Sequence, residues 1–327
     1  MNNKSCLIAG CGGFIGGHLI KYLTSLKLTV YGVDIKSKHE WFQHSKNVTH
    51  EIFNHDLSKD ESYKHLPPCD YIFNLASNMG GIGYLSRNKA RSMLNSTINN
   101  KLLEFALKHK SSRYFFSSSA NVYPHTLTNN EVNESQAYPA NPEDGYGWEK
   151  LFAERMCRHF YEDFGLETRV ARFFNIYGPN CDYNSGRERV IGALCRKICE
   201  IKFGRDKTQP IEIWGDGTQT RNFTNIEDCI NGILMVTFGD YSDPTNIGST
   251  EVVTINQLLD YLEKIAHIKL NRSYKLDAPT NSGGVCKSSD NAQIHQRFNW
   301  EPSIPLQRGL EATYKWIEDN YLKHYKG

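Results

Sequence analysis

The sequence predicts an α/β fold, a doubly wound parallel sheet that carries a smaller α/β lobe. Three observations predict it. Short apolar runs alternate with amphipathic stretches through the first half of the chain, a glycine-rich turn joins the first run to the first amphipathic stretch, and the rhythm becomes irregular after Pro179. Strand and helix in alternation build a parallel sheet buried under helices, whose strands read as continuous apolar runs.

Strands are expected over residues 6–9, 29–33, 71–75, 114–117 and 169–174, where apolar runs are bounded by turn residues. Helices are expected over Phe14–Ser25, 90–109 and 146–164, the last two long and amphipathic. Loops at 180–185 and 280–284 mark the lobe. The expected division is a first domain of residues 1–178 with roughly 221–245, and a lobe of residues 179–220 and 246–327. No internal repeat or low-complexity segment interrupts this pattern.

The chain has 327 residues, 39% of them hydrophobic, enough for a large core. Its 38 basic and 36 acidic residues nearly cancel, so no basic field draws nucleic acid or an anionic membrane. An anionic partner must therefore be bound locally. Nine cysteines occur without a CxxC pair, which fits buried, reduced thiols in a cytoplasmic protein and no metal site. The amino-terminal MNNKSCLIAGCGGFIGGHLI has a basic start and an apolar run, but glycines interrupt the run; it reads as a first strand and turn, not a signal peptide. No stretch reaches the ~20 apolar residues of a membrane span.

Gly10, Gly13 and Gly16 follow the first strand and open the first helix in the spacing GxxGxxG. Glycine is needed there because the turn is tight, a pyrophosphate must approach the backbone closely, and the helix must lie against the strand. Phe14 and Ile15 then supply first-turn amides. The second strand ends in Asp34, 24 residues after Gly10, where a carboxylate accepts hydrogen bonds from an adenosine ribose and repels a 2′-phosphate. The expectation is a Rossmann-type domain that binds NAD rather than NADP, with Lys36 as a nearby solvated charge. Asp56, followed by Leu57, is either a contact to the adenine amino group or an ordinary loop or capping aspartate.

Tyr146 and Lys150 are four apart on an expected helix and project from one face. A tyrosine hydroxyl has a pKa of about 10, so work as a base near neutrality means lowering it by about 3, or about 4 kcal/mol. A neighbouring ammonium and a cationic nicotinamide ring could supply that. YxxxK alone is common; its combination with the glycine turn, the acidic strand end and Ser117-Ser118-Ser119 after the fourth strand is specific.

With these motifs the chain resembles the extended short-chain dehydrogenase/reductases that act on nucleotide sugars, over nearly its whole length, and within them the GDP-mannose 3,5-epimerases. The likeness is carried by NLASNMGGIGYL at 74–85, SSSANVYP at 117–124, DGYGWEKL at 144–151, RFFNIYGP at 172–179, SGRER at 185–189, WGDGTQTRNFTNIEDC at 214–229 and NIGS at 246–249. The resemblance implies a catalytic set of Ser119, Tyr146 and Lys150 that oxidises a sugar at C4, with Leu75 and Ala76 beside the cofactor. It implies that Met79, Gly80 and Gly81 line the sugar pocket and that Asn175 holds the diphosphate or sugar. Arg187, Lys197, Gln219 and Arg221 would hold the nucleotide side, where arginine and lysine suit phosphate oxygens. It also implies a homodimer through the helices that begin near Ala90 and Tyr146.

The pattern breaks where the 3,5-epimerases carry an acid and a base. Two residues past the serine they have cysteine, and their GGREK segment ends in lysine; here stand Asn121 and Arg189. Inverting a carbon beside a C4 ketone requires a proton to leave one face and another to return on the opposite face. Asparagine does not titrate and arginine stays protonated. The sugar 4,6-dehydratases place glutamate at the Asn121 position, so their chemistry loses its base as well. Residues 285–291 depart too, with Cys286 and Lys287 where two arginines would precede SDN, so a bidentate phosphate contact becomes a point charge. The expected function is NAD-dependent oxidation at C4 of a GDP-linked manno-configured hexose or heptose, bound for a capsular or other surface polysaccharide. A small 2-oxo acid is the candidate acceptor that reoxidises the cofactor. The alternatives are a nucleotide-sugar 4-epimerase, a 3,5-epimerase in which His125 or Cys181 replaces the missing groups, and a non-catalytic NAD-binding regulator.

Overall fold

The computed structural model describes residues 4–41, 43, 52–127, 131–277 and 287–325. The expected α/β architecture is present. Seven strands form one parallel sheet: β1 (Ser5–Ala9), β2 (Thr29–Asp34), β3 (Ile52–Asn54), β4 (Tyr71–Asn74), β5 (Arg113–Ser119), β6 (Thr168–Phe173) and β7 (Thr245–Ile247). Their order is β7-β6-β5-β4-β1-β2-β3. The winding reverses between β1 and β4, and a crevice opens at the carboxyl ends of strands at such a switch point. Ala9 is level with Val33 on one side and Asn74 on the other, so the residues that follow these three strands emerge together.

The helices used below are α1 (Phe14–Ser25), α2 (Lys89–Met93), α3 (Asn95–Lys108), α4 (Gly145–Phe164), α5 (Val190–Phe203), α6 (Ile226–Phe238), α7 (Ile255–Ala266) and α8 (Leu306–Tyr325). Successive strand residues point to opposite faces. Cys6 and Ile8 of β1 therefore pack with Leu19, Ile20 and Leu23 of α1 and Ile230 and Ile233 of α6. Leu7 and Ala9 pack with Leu102 and Leu103 of α3 and Ala153 and Cys157 of α4. A separate core joins α5, α7 and α8 to a short parallel pair, Ile211–Trp214 with Arg272–Lys275.

Three expectations change. The helix expected over 90–109 is two helices, broken at Leu94, because Asn95 turns inward: its Nδ2 donates to Ser77 Oγ and its Oδ1 accepts from Asn78 N–H. The strands β3 and β7 are three residues long, too short for a periodic signal, and exist by pairing with β2 and β6. Beyond Pro179 the described residues hold four long helices behind the irregular rhythm; α7 shows why one forms, with Ile255, Leu258, Leu259, Leu262 and Ala266 buried on one stripe and a Thr254–Gln257 capping box at its start. The loop expected at 280–284 lies outside the described residues. The eight described cysteines are buried and unpaired. No described helix is long and apolar enough to cross a membrane.

Candidate active site

The glycine turn follows β1 at the switch point. Gly10 has φ +82°, and a Cβ there would lie 2.8 Å from the Leu75 carbonyl and the Ala76 nitrogen, so Gly10 is what lets the turn after β1 lie against the loop after β4. A Cβ on Gly16 would collide with the Gly10 carbonyl oxygen, which fixes α1 against the turn. Gly13 caps α1 in an extended conformation and no side chain closes the first turn, where Phe14, Ile15 and Gly16 begin the helix. A backbone cradle at a helix start suits a pyrophosphate. Asp34 is buried beside it: its carboxylate accepts from Gly12 N–H and from Lys36 N–H, both at 2.8 Å, while the Lys36 side chain is exposed. These residues fit the diphosphate and ribose of a dinucleotide.

Asp56 Oδ1 accepts from Ser58 N–H at 2.9 Å within the loop, ahead of a short helix that starts at Asp60 with Lys59 at its N-cap, and Leu57 is buried in the core beneath it. Trp41 was not anticipated. Its indole covers Gly12 so closely that a Cβ at Gly12 would overlap it, and its Nε1 donates to the Lys36 carbonyl. Nothing in the local sequence pattern marks it.

Asp34→Ala is expected to weaken NAD binding by about 10- to 100-fold, the worth of a hydrogen bond to a charged group, and NADP binding far less. Equal losses by calorimetry would show that Asp34 does not read the ribose.

Ser119, Tyr146 and Lys150, the expected redox set, lie on the β5 end and the start of α4. Asp144 caps α4 by accepting from Gly147 N–H at 2.8 Å, and Gly147 abuts the Asn121 backbone, so the helix start is pressed against the turn after β5. Ser119 Oγ donates to Asn121 Oδ1 at 3.3 Å and accepts from Asn121 N–H at 3.2 Å. Tyr146 and Lys150 are both buried. The Lys150 ammonium lies 5.6 Å from the centre of the Tyr146 ring and 4.6 Å from that of Phe116.

The loop after β4 meets the 187–189 segment across the crevice. Gly81 N–H donates to the Arg187 carbonyl at 2.9 Å, and a Cβ on Gly80 would crowd Tyr84 and Arg187. The Arg187 guanidinium covers the Tyr84 ring at 4.4 Å and reaches Asn78 Oδ1 at 3.3 Å. Arg189, exposed to solvent, reaches Met79 Sδ at 3.8 Å, and Tyr146 acts on it electrostatically. Crowding by protein lowers the Arg189 pKa and Tyr146 opposes that, but a guanidinium remains charged in either case.

Asn175, at φ +42°, donates to Asn222 Oδ1 at 3.3 Å. Lys197 Nζ donates to the Glu212 carbonyl at 3.2 Å and Gln219 Nε2 to the Trp214 carbonyl at 2.6 Å, so both attach to the strand Ile211–Trp214; Arg221 bonds the Thr220 carbonyl. Lys287 donates to the Tyr123 carbonyl at 3.1 Å; Cys286 lies outside the described residues. Two buried ionic features escaped the sequence reading: Arg172 paired with Glu154, and Glu149 beside Lys150.

A family model described as the NAD dependent epimerase/dehydratase family matches residues 6–248. GDP-mannose 3,5-epimerase 1 of Oryza sativa subsp. indica is 37% identical over 326 residues, covering 97% of this chain and 82% of that protein. GDP-mannose 3,5-epimerase of Arabidopsis thaliana is 35% identical over 332 residues, covering 98% and 84%. The solved structure of UDP-glucose 4-epimerase from Thermotoga maritima with UDP-glucose has a TM-score of 0.87 at 23% identity, over 97% of this chain and 99% of that one, a likeness of fold. The chain is a member of the NAD dependent epimerase/dehydratase family, and NAD is its cofactor.

Proposed function

We propose that this protein oxidises the C4 hydroxyl of a GDP-linked, manno-configured hexose or heptose to the 4-keto sugar. The observation that carries the reading is that Asn121 is bonded to Ser119 and Arg189 reaches Met79 beside the loop after β4. Neither can exchange a proton with a sugar carbon. The relatives named as GDP-mannose 3,5-epimerases support the nucleotide and the sugar class.

In this mechanism bound NAD supplies the hydride acceptor. Tyr146 takes the hydroxyl proton, the buried Lys150 ammonium stabilises the resulting phenolate, and Ser119 orients the hydroxyl. Met79, Gly80 and Gly81 shape the sugar pocket, while Arg187, Lys197, Gln219, Arg221 and Lys287 hold the nucleotide diphosphate with Asn175. The reading includes the division into residues 1–178 with roughly 221–245 and a lobe of the remainder, except that β7 carries residues 246 and 247 into the sheet of the first domain. It also includes a homodimer, supported by Leu94, Trp148 and Phe152, which are 66%, 43% and 49% exposed on α2–α4. A 2-oxo acid as final hydride acceptor and a surface polysaccharide as destination complete it.

The competing reading, 3,5-epimerisation, is favoured by the names of the relatives and needs a substitute acid and base. Cys181 is buried, and burial pushes its thiol up to about 12, so it carries no thiolate near neutrality. His125 is tied through Nδ1 to the Asn141 carbonyl at 3.2 Å. Reaction in deuterium oxide separates the two: the sugar is expected to be oxidised at C4 with no enzyme-dependent deuterium at C3 or C5 by NMR. Rapid incorporation there would restore the epimerase. The Asn121→Cys, Arg189→Lys double variant is expected to gain exchange.

A further inference from the structure

Glu149 precedes the lysine of the redox set and is as buried as that lysine. Both of its carboxylate oxygens are inaccessible and lack a hydrogen-bond partner. The Lys150 ammonium is 3.9 Å from the nearer oxygen, too far for a hydrogen bond. An ionised carboxylate left so bare is costly, and a proton removes the cost. Burial accordingly pushes the Glu149 carboxyl above the usual range, and Lys150 pulls it back.

On β5, burial keeps the Tyr114 hydroxyl neutral; it donates to Asn99 Oδ1 of α3 and accepts from Asn74 Nδ2. Of the charges on the elements packed against α4, Lys89 acts on Asp144, Lys101 pairs with Asp60, Arg113 pairs with Asp240, Arg169 pairs with Glu167, and Arg172 pairs with Glu154. Among the described residues, Lys150 lowers the Glu149 pKa, and Glu149 in turn raises that of Tyr114.

We propose that Glu149 is a buried charge compensator for the cofactor: it holds a proton in the free enzyme and releases it to solvent when the cationic nicotinamide of NAD+ enters beside Lys150. The oxidised and reduced cofactors carry the same pyrophosphate and differ by the positive charge of the ring. That charge, added to Lys150 in a site shielded from water, favours the carboxylate. NADH lacks it and leaves the proton in place. The protein thereby senses the redox state of its cofactor through proton binding. The inference rests on Tyr146 and Lys150 facing the nicotinamide, a reading tested separately by loss of NADH formation in Tyr146→Phe.

Isothermal titration of NAD+ in two buffers of different ionisation enthalpy counts the protons released. Release of up to about one proton is expected, with Kd tightening as pH rises by up to about tenfold per pH unit between the carboxyl's pKa in the complex and in the free enzyme. Above the free-enzyme value the dependence flattens. NADH should release none. Glu149→Gln should abolish the release and flatten the pH dependence for NAD+ while binding NADH as the unmodified protein does, which shows that it folds. Tyr146→Phe should keep the release, which excludes Tyr146 as its source, and Glu149→Leu, which removes the carboxyl without leaving a buried polar group, should abolish it if Glu149→Gln does not fold. No release from the unmodified protein, equal release in Glu149→Gln, or its loss in Tyr146→Phe would overturn the proposal.

Discussion

Replacing Tyr146 with phenylalanine is expected to lower turnover on the nucleotide sugar by about 10²- to 10⁴-fold, the usual worth of a positioned general base. The substitution removes one oxygen from a buried ring and leaves its packing and the Lys150 ammonium above it in place. NAD binding should therefore stay within a few-fold of normal by calorimetry, while NADH formation, followed by absorbance, collapses. Because the phenol oxygen is used in proton transfer more than in binding, KM should change much less than kcat. Near-normal turnover would remove Tyr146 from the mechanism and with it the dehydrogenase reading.

The largest effect on stability is expected at Arg172. Its guanidinium is fully buried, bidentate to Glu154 at 2.9 and 2.7 Å, and donates further to Tyr123 Oη at 3.1 Å and the Glu134 carbonyl at 2.8 Å. These bonds tie β6 to α4, the helix that carries Tyr146 and Lys150. Arg172→Met strands the Glu154 carboxylate with Ser118 as its remaining donor, and breaking such a buried pair costs about 3–5 kcal/mol. Urea unfolding measures the loss. The Glu154→Leu, Arg172→Met double variant should recover much of it, because no bare charge remains. A loss below about 1 kcal/mol in the single variant would show that water reaches the pair and that its burial does not set its worth.

Several features were legible in the chain because residue type and short spacing mark them. Gly10 takes a positive φ and Gly16 leaves no room for a Cβ against the Gly10 carbonyl, and Asp34 ends the second strand. Tyr146 and Lys150 share a helix face by their spacing alone. The five longer sheet strands announced themselves as apolar runs. The same reasoning failed at 90–109, where helical periodicity ran through Leu94 but Asn95 was claimed by the loop after β4.

By itself, then, the sequence determined the parallel α/β class, the glycine turn that opens the first helix, the acidic end of the second strand and the absence, at positions 121 and 189, of a group that gives and takes a proton near neutrality. Only the tertiary structure decided that Asn121 bonds Ser119, that Arg189 reaches Met79, that Trp41 covers Gly12, and that Arg172 and Glu154 form a buried pair. It also decided the character of Glu149. Neighbours on a helix point about 100° apart, so a Glu-Lys pair normally leaves one member in water; α4 is covered on one side by β5 and on another by α3, and both residues are enclosed. Spacing along the chain sets what a side chain can do, whereas burial and partners come from segments far away in sequence, which no local pattern encodes.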